Sequence, residues 1–266
     1  MQSTTINFVH ANGFPSGSYQ TLFSYFPSNI NVIALDKYGH NPEYPIKNNW
    51  KCLVDELVHF VKSQLKNNEK IVCVGHSFGG VISFMAACLH PELFKGVIML
   101  DPPVITGPTA LAIKLIKNTR YIDKFSPSGK AMNRRTQWPL GTNITETFAK
   151  RTLFKNFDER TLSDYVHSGI IERNKQLELV FDASIEAEIY RNLPTNLSQF
   201  KNKLTVPATL IYGENTDVFP NPHRIFNRFA KHNEKITIKT VPGGHMFPME
   251  RPEETATLIE SIIKGF

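Results

Sequence analysis

Six short apolar, β-branched runs alternate with helical patterns along this chain, and that rhythm constrains the fold more than any other feature. The runs are Ile6 to His10, Asn31 to Asp36, Ile71 to Gly75, Gly96 to Asp101, Ala208 to Gly213 and Ile236 to Val241. Continuous apolar runs, rather than alternating ones, are what strands buried on both faces require, and helices between them make crossovers that return parallel. Leu53, Leu57, Phe60, Val61 and Leu65 recur at helical spacing between the second and third runs. Gly79 to Leu89 reads as a helix stopped at His90-Pro91, and Ala256 to Ile263 as a closing helix. The pattern predicts an α/β fold with a sheet of about six parallel strands.

Residues 102–206 break the rhythm. They begin with Pro102-Pro103, end just before Pro207, and contain amphipathic pieces such as Leu111 to Ile116 and Leu177 to Leu193. They read as a mostly helical cap inserted into a core formed by residues 1–101 and 207–266. Open α/β sheets hold their ligands at the carboxyl ends of the strands, so an insertion there would roof the site. The segment also carries the charge: 16 Lys/Arg against 10 Asp/Glu, which is the whole net excess of +6. A solvated helical surface explains such a bias, and so does steering of an anionic substrate.

At 266 residues, 41% hydrophobic and 20% charged, the chain has the make-up of an ordinary globular protein. It shows no apolar run long enough to span a membrane and no secretory leader. Cys52, Cys73 and Cys88 form no disulfide or metal spacing, which points to a reducing cytoplasm. Nothing resembles a nucleic-acid motif, no His or Cys pattern suggests a metal, and no organic cofactor is implied. The expected partner is a small acyl substrate.

Gly75-His76-Ser77-Phe78-Gly79-Gly80 matches G-x-S-x-G between an apolar strand and a helix, the setting of a nucleophile elbow. Small residues two before and two after relieve crowding at such a turn, and the helix N-terminus favours negative charge developing at Ser77. A serine needs a base. His245 lies after the last strand in Pro242-Gly243-Gly244-His245-Met246, a loop flexible enough to carry an imidazole over the sheet. The base needs a carboxylate on its far nitrogen. Asp217, after the fifth run, is the favoured candidate; Asp101, ending the fourth, is its rival, and Glu214 is a distant third.

Nucleophile, acid and base in that chain order, together with these landmarks, resemble the α/β-hydrolase superfamily, and the resemblance covers nearly the whole core. His10-Ala11-Asn12-Gly13-Phe14-Pro15 looks like that family's His-Gly-x-Pro oxyanion loop with two extra residues. Asp36-Lys37-Tyr38-Gly39-His40 looks like its structural Asp-x-x-Gly-His segment. The resemblance implies an oxyanion hole of main-chain N–H groups from Phe78 and from Phe14, with Asn12 as the alternative to Phe14. Members usually carry two strands before this loop, so the chain is expected to lack the usual N-terminal hairpin.

The implied activity is serine hydrolysis of carboxylic esters. The alternatives are thioester or carbon–carbon hydrolysis of an anionic substrate, and a non-catalytic small-molecule receptor on the same fold. Serine at position 77 argues against epoxide hydrolases and haloalkane dehalogenases, which use aspartate there. Phe14, Phe78, Phe219 and Met246 are expected to line an acyl pocket. Trp138, with Arg134 and Arg135, is a candidate substrate contact.

Overall fold

A computed structural model describes residues 3–65 and 69–266. Nine strands are present among the described residues: β1 (Thr4–Val9), β2 (Ile30–Ile33), β3 (Ile71–His76), β4 (Phe94–Leu100), β5 (Gln137–Pro139), β6 (Ile170–Arg173), β7 (Gln176–Leu179), β8 (Ala208–Gly213) and β9 (Ile236–Val241). Six of them form one sheet in the order β2-β1-β3-β4-β8-β9. Every pairing in it is parallel, as the apolar runs predict. The order reverses between β1 and β3, and the sheet then grows outward in both directions, the doubly wound arrangement.

Burial explains why these runs are strands. Every residue of β3 and β8 is buried, as is all of β4 except Lys95. The helices Lys51–Gln64 and Phe78–Leu89 supply Leu53, Leu57, Val61, Val81 and Ile82 to one face. The closing helix Pro252–Ile263 packs Ile259 and Ile262 against Ile6, Val72 and Ile98 on the other. The edge strand β2 is shorter than its apolar run, because only β1 pairs with it and its side chains are at most half-buried.

The segment between β4 and β8 is mostly helical, but it also contains strands that its sequence pattern does not announce. Its short strands β5, β7 and β6 form an antiparallel sheet of their own. Asn174 and Lys175, which join β6 to β7, both have positive φ (52° and 60°), the backbone of a tight two-residue hairpin turn. The amphipathic piece from Leu177 to Leu193 is therefore split. Its first residues are β7, and the helix Ala183–Arg191 starts afresh where the Asp182 carboxylate caps the N–H groups of Ser184 and Ile185. No helix among the described residues is long and apolar enough to cross a membrane.

Candidate active site

Because the sheet is parallel, the loops after β1, β3, β4, β8 and β9 emerge at one edge. The turn after β3 is the sharpest. Ser77 has φ 54° and ψ −120°, and the helix Phe78–Leu89 begins at the next residue. Its N–H donates to the Leu100 carbonyl (2.7 Å), tying the elbow to β4. Non-glycine residues rarely take such a backbone, and they persist in it where the surroundings over-determine them.

His245 meets this serine directly. Its Nε2 lies 3.0 Å from Ser77 Oγ, positioned to accept the hydroxyl proton. Its Nδ1 donates to a carboxylate 2.8 Å away, and that carboxylate belongs to Asp101. The expectation of Asp217 in this place is thus corrected in favour of its rival. The reason is register. His76 of β3 pairs with Leu100 of β4, so the next residue on each strand, Ser77 and Asp101, leaves the sheet side by side. Asp101 then adopts φ 47°, while its N–H donates to the Ile211 carbonyl of β8 (2.7 Å). It is fully buried, and the Thr216 hydroxyl donates to the same Oδ2 that takes the imidazole. Asp217, one residue further, is exposed and lies at the wall of the cavity beside Ser77.

The loop carrying His245 is held from behind by further polar groups. Ala11 N–H donates to the Tyr19 hydroxyl (3.1 Å), and that hydroxyl donates to His76 Nδ1 (2.8 Å). His76 Nε2 in turn donates to the carbonyl of His245 (3.0 Å). One chain of hydrogen bonds therefore links the loop after β1 to the loop carrying the imidazole, the Tyr19 hydroxyl both accepting and donating in it. On the other side, the Glu250 carboxylate accepts from Gly244 N–H (2.9 Å).

The expected oxyanion and substrate residues divide. The N–H of Phe78 opens its helix next to Ser77, and its ring lines the cavity. The N–H of Phe14 donates to the Ala11 carbonyl (3.1 Å) in a turn, and its ring packs on Phe154, Phe157 and Tyr165. Phe14 therefore faces an aromatic core rather than the serine. Phe219 lines the cavity; Trp138 and Met246 do not. Trp138 is buried against Phe148 in the small sheet, and Met246 is buried among apolar side chains. Arg134 is paired with Glu186 and also donates to the Tyr165 hydroxyl (3.0 Å), so its guanidinium is spent inside the protein. Arg135 donates to the Gln137 carbonyl (2.8 Å).

The cavity beside Ser77 has a volume of about 490 Å³. Its walls are mostly apolar, with Trp50, Phe78, Ile113, Ile189, Leu193 and Phe219 prominent, and Asp217 is the one acidic side chain among the residues that line it. Both sides of the break between β4 and β8 contribute: Ile113 and Ile189 come from the intervening segment, Phe219 from the loop after β8.

Two buried histidines give the site's surroundings a pH signature. His10 donates from Nδ1 to the Ala11 carbonyl (2.8 Å) and accepts at Nε2 from Tyr38 N–H (2.8 Å). Burial pulls His10 down to about 4 and His76 to about 3, so both are neutral at pH 7. Burial pushes Glu56, which accepts from Gly39 N–H, up to about 7. A depressed histidine binds fewer protons folded than unfolded, so its share of stability is full above about 6.5 and lost as pH falls toward its folded value. Glu56 acts oppositely: its share is present below about 4.5 and lost as pH rises through about 7. Two histidines outweigh one carboxyl, so the thermal midpoint is expected to drop between about pH 7 and pH 5. Glu56→Gln should steepen that drop, as read by differential scanning fluorimetry. A midpoint that is flat over this range, or unaltered in slope by the variant, would contradict the assignment.

Comparison with known proteins bears on the family and the fold. The alpha/beta hydrolase family model matches residues 8–258, and the chain belongs to that family. An uncharacterized hydrolase, YugF, of Bacillus subtilis is 27% identical over 277 residues, covering 96% of this chain and 89% of that protein. A probable 1-acylglycerol-3-phosphate O-acyltransferase of rice (Oryza sativa subsp. japonica) is 23% identical, covering 79% of this chain, and the alignment takes in 55% of the rice protein's length. Among solved structures, the peroxisomal alpha-beta-hydrolase Lpx1 of Saccharomyces cerevisiae superposes with a TM-score of 0.81 at 17% identity, covering 100% of this chain and 78% of that one.

Proposed function

We propose that this protein hydrolyses carboxylic esters with apolar acyl groups, through an acyl-enzyme on Ser77. The observation that carries the reading is the unbroken set of hydrogen bonds Ser77–His245–Asp101 at the mouth of an apolar cavity. Ser77 Oγ attacks the ester carbonyl while His245 Nε2 takes its proton. Asp101 fixes the imidazole with its proton on Nδ1 and offsets the charge the ring acquires. The tetrahedral oxyanion is held by the N–H of Phe78 and by that of Asn12. Asn12 is preferred to Phe14, whose N–H is committed to Ala11. Such a donor lowers the barrier by about 3–4 kcal/mol. His245 gives its proton to the departing alcohol, then draws one from water as that water attacks the acyl carbonyl, and returns it to Ser77 Oγ as the bond to the acid breaks.

Residues 102–206 serve as a cap in this reading, since Ile113 and Ile189 close the cavity over the serine. An anionic acyl group is disfavoured, because no Lys or Arg is among the lining residues and Asp217 would repel a carboxylate. A purely receptive role is disfavoured by the filled proton relay.

A chain-length series of p-nitrophenyl esters tests the assignment. Turnover should rise from acetate to medium apolar acyl groups, and hemisuccinate esters should be poor substrates. Ser77→Ala should lower kcat by about 10⁶ and abolish labelling by a fluorophosphonate. An unreactive parent protein, folded yet neither labelled nor turning over any ester, would refute the reading.

A further inference from the structure

The helix Gly107–Ile116, directly after β4, has apolar residues on all sides and yet lies at the surface. Ala110 and Ile113 face inward, and Lys117, one residue past the helix, is buried on the same side. Pro108, Leu111, Ala112 and Leu115, spaced i, i+3, i+4 and i+7, are all exposed. Leu111 is 61% and Leu115 73% exposed, and Phe125, which follows in the chain, is 76% exposed. A helix apolar all round normally sits in a core or in lipid. Stripes of large aliphatic side chains left in water on a globular protein mark a binding face.

The charge around this stripe identifies what binds. Lys114, Arg120, Lys124 and Lys130 are exposed on the same segment. The lone acid within residues 107–130 is Asp123, and Arg191 already holds it at 2.8 Å. Tyr121 is half in water, with the Arg120 guanidinium and the Lys124 ammonium each 5.9 Å from its ring centre. Aliphatic side chains flanked by cations, with an aromatic ring at their border, match a surface of apolar tails beneath anionic headgroups. The face is also continuous with the catalytic cavity. Ile113 and Thr109 of this helix line the cavity, and so does Phe125, which stands at once in the wall and on the exposed surface.

We infer that this face docks on an anionic lipid bilayer, so that the cavity takes its acyl substrate from the membrane surface rather than from bulk water. The docking rests on the exposed face alone; the substrate route rests on the ester-hydrolase reading of the Ser77 site.

Co-sedimentation of the full chain with vesicles of phosphatidylcholine, with and without phosphatidylglycerol, tests it. The parent protein should bind the anionic vesicles, more weakly as salt rises, and bind phosphatidylcholine alone poorly. Leu111→Asp with Leu115→Asp should weaken vesicle binding at least about tenfold, while turnover of p-nitrophenyl butyrate in solution stays at the parent level. Both positions are exposed, so the fold should be kept, and the unchanged turnover would verify it. Lys114→Ala with Lys124→Ala should cut binding to the anionic vesicles selectively. Ser77→Ala should bind as the parent does. A parent that binds neither vesicle, or a double aspartate variant that binds undiminished, overturns the inference. So does a parent dimer in sedimentation velocity that the aspartates split without any vesicle binding, which would make the face a contact between copies. Vesicle binding without Ser77-dependent hydrolysis would leave docking standing and remove the esterase reading; the reverse would remove docking alone.

Discussion

Asp101→Asn should lower kcat on a soluble ester by about 10⁴, while Asp217→Asn leaves it close to the parent value. The two substitutions are chemically identical and lie at neighbouring strand ends, so their difference isolates the group that serves the imidazole. Asp101 Oδ2 accepts a hydrogen bond from His245 Nδ1–H at 2.8 Å, and the residue is fully buried. Its amide replacement would turn either an oxygen or an NH₂ toward the ring. The NH₂ orientation forces the proton onto Nε2, where it blocks acceptance from Ser77. Asp217 is exposed, so its replacement neutralises a wall of the cavity without touching the relay. Steady-state kinetics on both variants, with circular dichroism to confirm folding, decides the matter. Equal losses, or a larger loss for Asp217→Asn, would return the acid to the loop after β8.

The second large effect is on stability. Gly75→Ala is expected to cost about 4 kcal/mol or more, lowering the thermal midpoint by roughly 10 °C, or to abolish soluble expression. A Cβ on Gly75 would sit 2.2 Å from the Gly79 carbonyl oxygen, and one on Gly79 would sit 2.2 Å from the Val9 carbonyl oxygen. Both obstacles are main chain, and the second belongs to a central strand, so neither can swing aside. The elbow, the start of the helix Phe78–Leu89 and the end of β1 are packed with room for hydrogen only. Gly141→Ala is the control: its φ of +82° carries strain of about 1–2 kcal/mol, but nothing stands within 4 Å of the added carbon. Thermal denaturation of the two variants separates crowding from backbone strain.

How much of this was readable beforehand depends on whether the cause was local. β3, β4 and β8 are buried on both faces, so their apolar runs announce them without any knowledge of neighbours. Ser77 and His245 were legible because strand–turn–helix and glycine-rich loop are local devices. The carboxylate that meets His245 was not, because both Asp101 and Asp217 follow an apolar strand and only the pairing of β3 with β4 chooses between them. A hint was there: a carboxylate closing the wholly apolar stretch Val97 to Leu100 must be buried, and a buried carboxylate needs a partner. Phe14 looked suitable from the glycine and proline around it, but a turn hydrogen bond to Ala11 had already taken its N–H. The strands β5 to β7 went unseen because they are short, mostly exposed and rich in polar residues, and their turn uses Asn174-Lys175 where glycine would have been the signal.

The shared register of β3 and β4 bears on how such a centre can diversify. Ser77 and Asp101 are welded to one another by the main-chain ladder and by the bond from Ser77 N–H to the Leu100 carbonyl. Their spacing belongs to the sheet and owes nothing to the hundred or so residues spliced in after Asp101. On the reading proposed above, a change at Ile113 or Ile189 in that stretch would alter which molecules the cavity admits while Ser77 and Asp101 keep their spacing.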